Sequence, residues 1–266
     1  MERLTPAVQR AKPLLPHGIS RLAGISGLFV LWWVGTTVGF IPEALFPSPG
    51  TMARTFLELL ANGQLLESLQ VSLWRVSVGF AIGLLVGVGL ALFAGLWRVG
   101  ENLVDAPMQM LRTMPWAGLV PLLIIWLGID EAPKIALVAF AVAFPLYLNT
   151  FAGIRNVDKT LVEAARTLGL NRWNMVFQVI LPGSLPSLLV GLRYSLGSAW
   201  LALVFAETVN SQSGLGYLIT YAREVYRVDI VVLCLVIYAL LGLGADLIVR
   251  LLEKGLLQWR QNFVGN

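Results

Sequence analysis

The chain has 266 residues, of which 57% are hydrophobic and 13% charged, with a mean hydropathy of +0.77. Soluble domains carry about 25% charged residues, so this composition excludes an ordinary water-soluble domain and points to one all-α integral membrane domain. The net charge of +4 arises from 19 basic residues scattered between bilayer-length apolar runs, which argues against a nucleic-acid surface and for membrane topology. In chain order, residues 1–21 form a basic tail with Arg3, Arg10, Lys12 and Arg21. The uncharged run Leu22–Pro42 exceeds a signal-peptide core of about 7–15 residues, and no small-residue cleavage site is evident, so it reads as a retained first membrane helix. Phe46-Pro47-Ser48-Pro49-Gly50 marks an irregular loop before a short amphipathic helix over Thr51–Ala61.

A spanning helix needs about 20 mostly apolar residues. Val76–Trp97 meets this as the second span, with Gly79, Gly83, Gly87 and Gly95 forming a small-residue stripe for close helix packing. The third is expected from about Pro107 to Ile129, kinked at Pro115 and Pro121. Ile135–Ile154, with Pro145 at its middle, is the fourth. Leu185–Ala206 is the fifth if Arg193 is tolerated, and Ile230–Leu252 the sixth if Asp246 is tolerated. The segment Asn210–Tyr217, NSQSGLGY, reads as a loop or re-entrant turn. The organisation is thus a tail (1–21), a six-helix transmembrane domain (22–252) interrupted by a polar loop at 155–184, and a second tail (253–266).

With the amino terminus inside, cytoplasmic segments hold Arg3, Arg10, Lys12, Arg21, Arg98, Arg155, Lys159, Arg166, Arg172, Arg250, Lys254 and Arg260. External segments hold only Arg54, Lys134, Arg223 and Arg227, so the positive-inside bias places both termini and the 155–184 loop in the cytoplasm. Within that loop Asp158 or Thr160 can cap a helix, and Thr160-x-x-Glu163 fits a capping box. Leu161, Ala165 and Leu168 share one face, Gly169 suits a left-handed C-cap, and Pro182 and Pro186 open the fifth span. Periodicity alone leaves open a plain interfacial amphipathic helix.

The spacing Glu163-Ala164-Ala165, Gly169, Val179-Ile180-Leu181-Pro182 resembles the EAA loop of membrane subunits in binding-protein-dependent ATP-driven importers, with Val179 where that family has isoleucine. The stretches at 45–52, 109–135, 147–158 and 190–209 are similar to aliphatic-sulfonate permeases, with taurine, nitrate and bicarbonate permeases as near relatives. The resemblance implies a type I ABC importer permease fold in a bacterial inner membrane, with a cytoplasmic coupling helix between spans 4 and 5. It also implies a second copy of the chain, two ATP-binding subunits and an extracytoplasmic substrate-binding protein. Leu161, Glu163, Ala164, Ala165, Leu168, Gly169 and Pro182 are, by that likeness, the residues that couple to the ATPase.

None of the chain's lysines follows a glycine, so no phosphate-binding G-x-x-x-x-G-K-[ST] loop exists, and the ATP-driven machine that the resemblance implies must hold its ATP and Mg on a partner ATPase. A single cysteine and a single histidine exclude an internal disulfide and a Cys/His metal site. With no catalytic set and no cofactor site, the chain reads as a transport subunit. A secondary transporter is the rival; it calls for inverted repeats and acidic relays that are not evident.

Arg75, Arg112, Arg193, Glu207 and Asp246 lie in or at the ends of apolar runs. A charge at the bilayer centre costs about 2.5 kcal/mol or more, so each should face protein or water. Two readings follow: the arginines meet an anionic substrate, or they pair with Glu207, Asp246 or helix-end carbonyls. Asn149, Ser195, Ser198 and Thr208 are candidate hydrogen-bonding groups for a sulfonate, although such side chains also satisfy kinked helices.

Overall fold

The computed structural model describes residues 17–112, 114–115 and 118–259. The described residues form helices joined by turns and short irregular loops, with no strand among them: α1 (His17–Thr37), α2 (Pro49–Ala61), α3 (Gln64–Leu96), α4 (Arg98–Arg112), α5 (Leu119–Leu127), α6 (Ala132–Arg155), α7 (Lys159–Thr167), α8 (Arg172–Met175), a π-helical turn (Val176–Ile180), α9 (Leu181–Val209), α10 (Leu215–Glu224) and α11 (Val228–Leu256). Among these, α3, α6, the continuous stretch from α8 through α9, and α11 have the length and hydropathy to cross a membrane.

Three expectations change. The second span begins at Gln64 instead of Val76, because Leu65 and Leu69 carry the apolar helix outward and pack beneath α10 and α11. The expected third span is two helices, α4 and α5, with a break between. Pro115 has no N–H to continue the ladder and Gly118 N turns back onto Pro115 O at 2.8 Å, so the chain restarts instead of bending. The nine residues of α5 rise only about 14 Å, well short of a bilayer core. The helix that carries the fifth span starts at α8 and runs 38 residues to Val209, Arg172–Val209, well ahead of the Leu185 expected as the start of the span. Its π turn, in which Leu181 N bonds back to Val176 O, opens the ladder ahead of Pro182 and Pro186.

Helix α6 is the axis of the bundle, packed between α3 and α9. A Cβ at Gly83 would stand 2.5 Å from Ala139 O, and one at Gly87 2.5 Å from Ala143 O, so only glycine lets the α3 and α6 backbones meet at this distance. Val138, Val142 and Leu146 of α6 and Ala199 and Leu203 of α9 fill the core behind them.

Candidate functional site

Helix α7 is short and closed at both ends. Asp158 Oδ1 accepts from Thr160 N at 2.8 Å, so Asp158 is the cap and Thr160 lies inside the helix. At the other end Gly169 adopts φ +81°, Gly169 N donates to Arg166 O at 3.0 Å and Leu170 N donates to Ala165 O at 3.1 Å. These paired bonds are a Schellman motif, and its left-handed position is what Gly169 supplies. Ala165 is buried against its own chain, whereas Leu161 is 58% and Leu168 80% exposed, and Glu163 and Ala164 are also exposed. The expected common face is therefore split: Ala165 anchors the peg and Leu161, Ala164 and Leu168 present it. Pro182 lies at the start of α9, beyond the π turn.

At the far end of α6, about 36 Å of helical rise away, five elements converge on Arg75, which is 1% exposed. Arg75 Nη1 donates to Glu207 Oε1 at 2.8 Å and to Ser213 O at 2.7 Å, and Nη2 donates to Glu131 Oε1 at 2.7 Å. Ser72 Oγ donates to both Glu207 oxygens at 2.8 and 2.9 Å, while Gly216 N and Tyr238 Oη donate to Oε2 at 2.8 and 3.3 Å. Glu207 is thus held by α3, the amino terminus of α10 and α11, where helix-end N–H groups favour a carboxylate. Gly214 has φ +106°, and a Cβ there would stand 2.4 Å from Glu207 Oε1. The hydrogen bond from Arg75 holds the Glu131 carboxyl, just ahead of α6, below its ordinary range. Every nitrogen of this guanidinium has an acceptor, so Arg75 has nothing left to offer a passing anion.

A second charged group joins α9 to α11. Arg193 Nη2 donates to Glu253 Oε2 at 2.8 Å, and its Nε stands 3.0 Å from Asp246 Oδ1, close enough for an ion pair but not aligned as a hydrogen bond. Asp246 Oδ2 accepts from Arg250 Nε at 2.6 Å. The side chain of Arg112, the last residue of α4, lies outside the described residues.

Asn149 and Ser198 come together across α6 and α9. With Tyr194, Met114, Phe140 and Phe144 they line a groove of about 400 Å³ beside the α4–α5 break. Asn149 Nδ2 donates to Pro145 O at 2.8 Å, and Asn149 lines the groove. Ser195 Oγ instead donates to Val142 O at 2.9 Å and Thr208 Oγ1 to Phe205 O at 3.1 Å, so both satisfy helix carbonyls. Sequence reasoning missed Ser72, Glu131, Ser213, Gly216 and Tyr238, which are separated along the chain by up to 166 positions from Ser72 to Tyr238. The one legible signal was Gly214 and Gly216, seven and nine residues after an intramembrane glutamate, Glu207.

The family described as "Binding-protein-dependent transport system inner membrane component" matches residues 83–258. A protein of Escherichia coli (strain K12) named as an aliphatic sulfonates transport permease, SsuC, is 46% identical over 233 residues, 88% of this chain and 89% of that protein. Its namesake in Bacillus subtilis (strain 168) is 42% identical over 238 residues, 90% of this chain and 86% of that protein. A solved amino acid ABC transporter, described as a crystal structure "with histidines", shares the fold with a TM-score of 0.63 at 17% identity, covering 75% of this chain and 97% of its own. This chain therefore belongs to the binding-protein-dependent transport system inner membrane components, the multi-pass permease subunits of ABC importers, which are transport proteins and not themselves enzymes.

Proposed function

We propose that the chain carries a small organic anion, an alkanesulfonate, from an extracytoplasmic binding protein into the cytoplasm by alternating access. Two copies assemble with two ATP-binding subunits, which hold ATP and Mg, so this chain needs no cofactor of its own. Both termini and the 155–184 segment are cytoplasmic, and the chain crosses six times, with α1 as the first crossing and the broken α4–α5 pair as the third.

The observation that carries this reading is α7, a doubly capped peg with exposed Leu161 and Leu168 in the spacing of the EAA loop. Two stiff connections leave it. Three residues separate the end of α6 at Arg155 from Lys159, and the stretch from α8 through α9 is continuous. Closure of the ATPases brings two such pegs together, and the movement passes into α6 and α9, the helices that bear Asn149, Tyr194 and Ser198. These groups offer neutral hydrogen bonds to a sulfonate, while Arg75 and Arg193 hold the bundle. The shared name of the two relatives supports the substrate class.

Vesicles reconstituted with the chain, its ATPase and its binding protein provide the test. Alkanesulfonate should stimulate ATP hydrolysis and accumulate inside. Stimulation by taurine, nitrate or bicarbonate without any by alkanesulfonates would overturn the substrate, and transport without the ATPase would overturn the importer.

A further inference from the structure

A cavity of about 810 Å³ opens between the end of α3 and the segment that follows α7. Its wall combines two kinds of side chain: Arg166 and Arg172 are cationic, Trp97 and Trp173 are amphipathic, and Leu96 and Ile180 are apolar. Among the described residues neither arginine has an ion-pair partner, unlike Arg75, Arg193 and Arg227. The cavity lies where the 33-residue apolar helix α3 stops and the charged Arg98 begins, the level at which a bilayer gives way to water. Exposed Trp97 and Trp173 mark the same level, since indole rings settle among lipid headgroups.

The docking face of α7 points elsewhere. At 100° per residue Arg166 lies on the side of the helix opposite Leu161, Ala164 and Leu168. An ATPase seated on those residues leaves the cavity facing the membrane. Guanidinium groups form paired hydrogen bonds with phosphate oxygens, and basic pockets between membrane helices on the cytoplasmic side bind anionic headgroups.

We propose that this cavity holds the headgroup of an anionic phospholipid of the cytoplasmic leaflet, its phosphate between Arg166 and Arg172 and its acyl chain along Leu96 and Ile180. The proposal rests on the cytoplasmic placement of α7 in the importer reading. The lipid bridges the end of α3 to the segment between the peg and α9, so its presence stiffens the path by which the peg drives the bundle.

The test is native mass spectrometry of the purified complex exposed to phosphatidylglycerol or to phosphatidylcholine. Phosphatidylglycerol should be retained selectively by the parent. Arg166→Gln with Arg172→Gln should weaken that retention about thirty-fold, from roughly one contact per arginine. Arg166→Lys with Arg172→Lys, which keeps the charge, should retain most of it and guards against misfolding of the glutamine pair. Equal retention of both lipids by the parent, or unchanged retention by the glutamine pair, would overturn the site. So would a glutamine pair that keeps its lipid but no longer captures the ATPase, since the arginines would then be protein contacts. Lipid retention is read without ATP turnover, so a failure of the importer reading leaves a distinct signature.

Discussion

The Arg75 and Arg193 groups are built from the same parts, one guanidinium between two carboxylates, yet they sit in opposite surroundings. Arg75 and Glu207 have side chains 1% and 0% exposed, whereas Arg193, Asp246 and Glu253 are 39%, 31% and 29% exposed. In the first group removal of Arg75 or Glu207 strands a charge that water cannot reach, at a cost of about 3–5 kcal/mol, whereas Glu131, 44% exposed, is the solvated edge of the group. In the second, solvent and headgroups take over the lost contact, and the pair contributes about 0–1 kcal/mol. Equal chemistry therefore gives unequal energetics, and burial decides which arginine is structural in the strong sense. The difference also separates two layers of design: the Arg75 group ties the loop at 211–214 to α3, α6, α9 and α11, while the Arg193 group only clips two neighbouring helices together.

The largest effect should come from Glu207→Ala, which leaves Arg75 with Glu131 as its one carboxylate and removes the acceptor for Ser72, Gly216 and Tyr238. A loss of about 3–5 kcal/mol is expected, seen as a large drop in the yield and thermal midpoint of the detergent-purified protein. Adding Arg75→Met should recover part of that loss, because the double variant strands no charge; additive losses would break the comparison.

Arg193→Gln should lower the midpoint only slightly, by about 1 kcal/mol or less. A loss as large as that of Glu207→Ala would show that exposure does not separate the two groups. Normal stability with abolished transport would instead assign Arg193 to the substrate path.

The smallest effect is on pH dependence. Glu131 has its folded-state pKa lowered by Arg75 from the ordinary 4.5, so its share of stability is complete above that value and fades as pH falls through the lower folded value. Glu131→Gln should therefore flatten the acid limb of the midpoint-versus-pH curve below about pH 4.5, leaving the neutral region with a small constant offset. An unchanged acid limb would remove Glu131 from the account.

Much of this was legible in the sequence because bilayer physics is blunt. Long apolar runs identified the four helices that have spanning length, and the rule that buried charges find partners left pairing with Glu207 or Asp246 as one of two readings for the arginines; the contacts Arg75–Glu207 and Arg193–Asp246 came only with the fold. Gly169 was readable as a left-handed cap because no other residue takes that position cheaply. Other features were not. Apolar periodicity marks a face without saying whether it meets its own chain or a partner, so Ala165 and Leu168 looked equivalent although one is buried and the other exposed. The α4–α5 break was hidden because a proline permits a kink or a stop, and the surrounding helices decide. Glu131 was invisible as a partner of Arg75 because it lies just outside an apolar run, where a charge needs no explanation.

The central claim is that α7 passes ATPase closure to the membrane helices, and Leu168→Asp tests it most directly. Leu168 is 80% exposed and bonds to nothing through its side chain, so the substitution should leave insertion and the thermal midpoint as in the parent. Placing a carboxylate in an apolar docking groove should cost about 2–4 kcal/mol of association. The account predicts that the variant fails to capture the ATPase and loses at least about tenfold in uptake by reconstituted vesicles. A variant that binds the ATPase and transports at the parental rate would contradict it, and would make α7 an interfacial helix without a coupling role.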